Sequence, residues 1–158
     1  MKLLVTDRVD AAEAFARAIG AKRRDERTFV GEGVAVLRSG PGIVALAGAR
    51  EVPIAAQGAG HKRLPAHLPP TVRDEAAFAL LRRALQHPRV EQVLVAVQPT
   101  RSDELGFWLL YEAAEGKAPF ARVDVHGLDD ENLRQAIAAP SPHALLRTRA
   151  GYAEAVLD

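Results

Sequence analysis

The first apolar positions, Leu3-Leu4-Val5, form a short unbroken run and predict a buried strand. Asp10 follows, with Glu13 three residues on at capping-box spacing, and Phe15 and Ile19 share a face at i, i+4. This pattern predicts a helix opening at Asp10 and closing at Gly20, where glycine tolerates the left-handed cap conformation. From Thr28 to Leu46 the period changes. Val34, Val36 and the run Ile43-Val44-Ala45-Leu46 flank Ser39-Gly40-Pro41-Gly42, two β-rich stretches around a Gly/Pro turn that predict a hairpin. Residues 47–70 are rich in glycine, alanine and proline without a period, and read as a loop over the domain that Leu68-Pro69-Pro70 ends stiffly.

Thr71 is expected to cap the next helix, with Asp74 in its first turn and Ala77, Leu81 and Leu85 along one face. The most apolar run of the chain follows, Val93-Leu94-Val95-Ala96-Val97, the pattern of a strand covered on both faces. A helix over about 102–114 stopped by Gly116, a strand Val123-Asp124-Val125, and a helix from Asp129 or Asp130 to just before Pro140 complete the alternation. Ser141-Pro142 opens a last helix, proline being favoured at the first position. This order argues for an α/β fold with a mostly parallel sheet flanked by helices and an inserted β-hairpin. The expected organisation is one domain over residues 1–140 and a C-terminal helix, 141–158, packed on it.

Composition narrows the classes. The 158 residues are 48% hydrophobic and 26% charged, a globular balance, and the absence of cysteine excludes disulfides and thiolate metal sites. The apolar runs are far short of a membrane span, and Met1 leads straight into Lys2-Leu3-Leu4-Val5-Thr6 without a signal-peptide pattern, so a cytoplasmic protein is expected. The net charge of +1 is unevenly spread. Residues 61–89 hold six Lys/Arg against two Asp/Glu, whereas residues 101–158 hold six against ten. The basic stretch reads either as a phosphate-binding face or as a solvated helix face with scattered arginines.

In an open α/β sheet, ligands bind beyond the carboxyl ends of the strands. Two such ends carry candidate chemistry, Thr6-Asp7-Arg8 and Gln98-Pro99-Thr100-Arg101-Ser102-Asp103-Glu104. Together they resemble the Toprim domain of type IA DNA topoisomerases. That family begins with a hydrophobic strand, then Glu, Lys, Pro and Ser, then a helix closing on Leu-Gly or Ile-Gly. Asp7, Arg8 and Asp10 stand at the glutamate, lysine and serine, and Ile19-Gly20 closes the helix. The second motif, Asp-Pro-Asp-Arg-Glu-Gly-Glu, aligns with residues 98–104, where Pro99, Arg101 and Glu104 keep their places. Leu64-Pro65 to Pro70 with the helix to Gln86 resembles the family's Leu-Pro stretch and basic helix. Arg122-Val123-Asp124-Val125-His126-Gly127-Leu128 resembles its Arg-x-x-Phe-His-Glu-Ile segment. Arg149-Ala150-Gly151-Tyr152 resembles the start of its next domain, and Gly40-Pro41-Gly42 stands where the family has Gly-His-Leu.

The resemblance implies a Mg²⁺ site that the substitutions dismantle. The metal positions are Asp7, Gln98, Thr100 and Ser102, and neutral oxygens at three of them cannot offset a divalent charge. Asp103 and Glu104 are a candidate displaced pair. The family's nucleophilic tyrosine lies in a later domain, and neither Tyr111 nor Tyr152 matches it. His61, His67, His87, His126 and His143 lack metal-ligand spacing, and Gly58-Ala59-Gly60 lacks the Lys-Ser/Thr of a P-loop. The expected function is therefore a degenerate, non-catalytic domain that binds DNA or a protein of DNA topology, replication or repair. Arg8, Arg63, Arg73, Arg82, Arg83 and Arg101 are the phosphate-binding candidates, with no cofactor expected. The rivals are a metal-dependent phosphoryl-transfer enzyme using Asp7, Asp103 and Glu104, and a structural adaptor docking through the helix of Phe107 and Trp108.

Overall fold

A computed structural model describes residues 1–40, 42–46, 70–98 and 100–141. The elements run β1 (Lys2–Thr6), α1 (Val9–Ile19), β2 (Lys22–Arg23), β3 (Thr28–Val30), β4 (Val34–Arg38), β5 (Val44–Leu46), β6 (Pro70–Val72), α2 (Glu75–Leu85), β7 (Gln92–Val95), α3 (Arg101–Ala113), β8 (Phe120–Arg122) and α4 (Asp130–Ala138). Six strands form one sheet in the order β2-β3-β4-β1-β7-β8, while β5 and β6 pair in a separate antiparallel ribbon. Strands β4, β1, β7 and β8 are parallel, and β2 and β3 add an antiparallel edge.

Alternation along the central strands sorts the core into two layers. Leu3, Val5, Leu37, Val93 and Val95 face Leu81 and Leu85 of α2 and Phe107 and Leu110 of α3. Leu4, Val36 and Leu94 point the other way, onto Ala12 and Phe15 of α1 and Leu133 and Ile137 of α4. The apolar run through 93–97 is thus explained by helices on both faces. Each fully buried Leu or Phe here contributes roughly 1.5–3 kcal/mol over an exposed one.

Several boundaries differ from the sequence reading. Helix α1 starts at Val9, with Arg8 at the N-cap and no side-chain cap bond. Asp10 lies inside the first turn, accepting from Ala11 N–H at 2.8 Å and from Arg8, and Glu13 pairs with Arg23 at 3.7 Å instead of closing a capping box. Thr71 belongs to β6, and Asp74 caps α2 by accepting from Ala77 N–H at 3.0 Å. The two runs around residues 39–42 do not pair with each other. Strand β4 already has β3 on one edge and β1 on the other, so Val44–Leu46 turns out of the sheet and pairs with Pro70–Val72. Gly40 and Gly42, at φ of 75° and 73°, supply the left-handed backbone for that exit. The hairpins that do form within the sheet are β2–β3 and β3–β4. The last parallel strand is 120–122, three residues before the expected 123–125, and Asp124 and Val125 are already exposed beyond the sheet. Residues 47–69 and 142–158, with the expected loop and final helix, lie outside the described residues; Ser141 makes an antiparallel bridge to Arg122.

Gly116 does a different task from ending α3. The left-handed position after the helix is Glu115, at φ 53°. Gly116 lies under the ring of Tyr111, where a Cβ would stand 2.4–2.9 Å from three ring carbons. Tyr111 is fixed above it by its hydroxyl, which donates to Ala118 C=O at 2.6 Å, and by edge contact with Phe120 at 4.9 Å between centroids. Gly116→Ala is therefore expected to cost about 1–3 kcal/mol through overpacking. A urea midpoint equal to the parent's, with an unchanged slope, would refute this.

Candidate functional site

The chain leaves β1 into α1 on one face of the sheet and leaves β7 into α3 on the other. Since β1 and β7 are parallel neighbours, their carboxyl ends part around a crevice, the place where open α/β sheets bind ligands. Asp7 follows β1 directly. Gln98, exposed, and Thr100, which caps α3, follow β7. The fold thus gathers residues more than ninety positions apart at one edge.

Asp7 and Asp103 are the chemical centre of this crevice. The Thr100 hydroxyl donates to Asp103 Oδ2 at 2.6 Å, and Asp103 N–H donates to Thr100 Oγ1 at 3.1 Å, so Asp103 is fixed by the helix cap. Asp7 lies against it, half-buried, with Oδ1 shielded from solvent and without a hydrogen-bond partner. Burial raises the Asp7 carboxyl above the usual carboxylate range, its own amide opposes this, and the nearby Asp103 carboxylate raises it further. Arg8 compensates weakly because its guanidinium is held by Asp10, which it keeps below the ordinary range.

The raised Asp7 value carries a stability prediction. The folded state holds this proton more tightly than the unfolded chain does. Stability therefore falls as pH rises from the ordinary carboxyl range through the raised value, and the penalty is complete above it. Asp7→Asn, which removes the half-buried charge beside Asp103, is expected to be more stable than the parent at pH 7. The difference should close toward about pH 4. Thermal melts across that range showing the variant less stable at pH 7 would contradict this.

Glu104 does not join the crevice acids. It is 5% exposed and forms a buried ion pair with Arg122, itself 2% exposed. Arg122 also donates to Val97 C=O at 3.1 Å and to Asp124 Oδ1 at 3.0 Å. These bonds fasten the first turn of α3 to the end of β8. Glu104 and Arg122 are both retained in the motifs that the sequence resembles, and here they meet in a scaffold contact. The clue was legible as an arginine between Ala121 and Val123 in a strand, where only a partnered charge is tolerated.

The donor chemistry does not fit a divalent cation. Mg²⁺ needs several anionic oxygens, whereas Gln98 and Thr100 are neutral and Glu104 is held by Arg122. Among the described residues no three His, Cys, Asp or Glu side chains converge.

The basic candidates fall at opposite ends. Arg8 stands exposed at the carboxyl edge, and the backbone of Arg101 opens α3 beside it, its side chain lying outside the described residues. Arg73 is exposed just before α2. Arg82 and Arg83 are exposed in the last turn of α2, at the amino end of the sheet, where Arg82 meets Glu115 at 3.3 Å. They border an open groove with Phe78 and Gln86. Arg63 lies outside the described residues. The docking surface expected at Phe107 and Trp108 is corrected: both are buried, at 4% and 8% exposure, the first in the core and both against Phe120.

No model of a known protein family matches the chain, and no curated protein does. Among solved structures, its fold is similar to that of full-length topoisomerase I from Thermotoga maritima, with a TM-score of 0.65 over 98% of this chain at 16% identity. This chain spans 23% of the length of that protein. At such identity the likeness bears on fold, and it agrees with the α/β architecture of helices on both faces of a mostly parallel sheet. Among the described residues, no helix is long and apolar enough to cross a membrane.

Proposed function

We propose that this chain is a Toprim-like domain, related to that of type IA topoisomerases, that acts by binding DNA through its phosphates and does not cut it. The observation that carries this reading is the crevice between β1 and β7. It stands where the resemblance places a metal, yet Asp103 is tied to the Thr100 cap, Asp7 Oδ1 is buried without a hydrogen-bond partner, and Gln98 and Thr100 beside them are neutral. Fewer carboxylates also mean less repulsion against a polyanion. Arginines at both ends of the α2–α3 layer supply the positive contacts, with phosphate oxygens as acceptors of charge-assisted hydrogen bonds.

Two assays test it. Supercoiled plasmid incubated with the protein should be neither relaxed nor nicked in Mg²⁺, Mn²⁺ or EDTA. Binding to a labelled oligonucleotide should weaken steeply with salt and show little sequence preference. One observation favours the rival enzyme reading, the closeness of Asp7 and Asp103. Metal-dependent nicking that disappears in Asp7→Ala would establish it. Absence of any DNA binding at low salt would leave a protein partner as the reading.

A further inference from the structure

We infer that Arg38 supplies, without a metal, the positive charge that meets a DNA phosphodiester at the carboxyl edge; this rests on the DNA-binding reading above. Arg38 ends β4 and is the parallel partner of Thr6, the residue before Asp7. Its position is fixed by the backbone around it. Arg38 N–H donates to Arg27 C=O at 2.8 Å, and Arg27 Nη1 returns bonds to the carbonyls of Arg38 and Ser39 at 3.3 and 2.8 Å. Ser39 N–H and Oγ both reach Thr6 C=O, at 2.8 and 3.3 Å. Gly40 admits this clamp, since a Cβ there would stand 3.2 Å from Arg27 Nη1.

On this rigid segment the Arg38 side chain is half-buried and makes no ion pair or hydrogen bond among the described residues. Among the described side chains at this edge, Arg8 is engaged with Asp10, Arg27 with two carbonyls, and Arg122 with Glu104 and Asp124. Arg38 shares the face of β4 that carries Val36, on the α1 side, while Asp7 shares that of Val5 on the α3 side. A phosphate on the α1 side of this edge is thus offered a planar guanidinium that no described residue engages, with the Asp7 and Asp103 carboxyls on the opposite face of the sheet. Guanidinium matches the geometry of two phosphate oxygens, and the backbone that carries it is already ordered before binding.

The test uses the full chain and fluorescence anisotropy with labelled single- and double-stranded oligonucleotides, in EDTA and in Mg²⁺, over a salt series. Parent affinity should be the same with and without the metal. Arg38→Gln should bind about tenfold more weakly, and its log–log salt slope should be lower by about one phosphate contact. Arg38→Met, which keeps the apolar stem, should do the same and serves if the glutamine variant melts early. Parent-like affinity and slope in a folded variant, while the parent binds, would overturn the inference and leave the DNA reading standing. A requirement for Mg²⁺ would also overturn it. Failure of the parent to bind would remove both.

Discussion

Arg122→Met is expected to cost about 3–5 kcal/mol of folding stability, because it strands the Glu104 carboxylate in the interior. The methionine keeps the length of the stem, so the loss measures the charge and its hydrogen bonds more than the packing. Arg122 is 2% exposed and bonds Glu104, Val97 C=O and Asp124 together, so water cannot replace the guanidinium. Against a total of about 5–15 kcal/mol for a domain of ordinary stability, such a loss leaves little reserve. Removing both charges with Glu104→Leu and Arg122→Met should recover most of it, since the isolated buried charge, and not the absence of the pair, carries the cost. Urea denaturation of the parent, both single variants and the double variant closes the cycle. If Arg122→Met lost less than about 1 kcal/mol, the pair would be solvated in solution and its role as the fastening of α3 to β8 would fall.

Charge reversal at the far end of the same layer, Arg82→Glu with Arg83→Glu, should weaken DNA binding by about 10- to 100-fold near physiological salt and lower the salt slope by about two phosphate contacts. Both arginines are exposed in the last turn of α2, and neither supports the core, so the fold should be kept. The loss of the exposed Arg82–Glu115 contact is worth little. All oligonucleotide sequences should be affected alike, because phosphate contacts carry no sequence information. The helix that carries these residues is 11 residues, or roughly 16 Å, long, and lies between them and the crevice. At that separation their effect should add to that of Arg38→Gln. Unchanged affinity in a folded reversal variant would show that DNA, if bound, lies only at the carboxyl edge.

The alternation of patterns along the chain was sufficient for the α/β class, and physics explains why. The run Val93–Val97 has apolar residues at every step, which only a strand covered on both faces satisfies, and Leu3-Leu4-Val5 beside it follows the same rule. Asp7 and residues 98–104 were legible as candidates because each follows such a strand. That Asp103 meets Asp7 while the adjacent Glu104 turns inward to Arg122 was not legible, since neighbouring positions on a helix diverge by about 100° and burial decides which one faces the core.

Local signals at element ends were the least decisive. Thr71, Asp10 and Gly116 each carry the right chemistry for a cap, but Asp74, Arg8 and Glu115 hold the corresponding positions. A cap is worth about 1 kcal/mol, less than the pairing of Thr71 in a strand or the packing of Tyr111 over a glycine can override. Periodicity of burial was enough to place β1 and β7, apolar on both faces, and with them the two strand ends where ligands are to be sought. Which partner completes each edge followed from contacts between distant segments. Strand β4 paired with β1 and so expelled Val44–Leu46 from the sheet. The candidate arginines divided between the two ends of the sheet, with Arg8 at the carboxyl edge and Arg82 and Arg83 at the amino end, and Arg38, unremarkable in sequence, arrived beside Thr6. Those outcomes depend on contacts between distant segments, which compete for the same hydrogen-bonding edges and the same buried space.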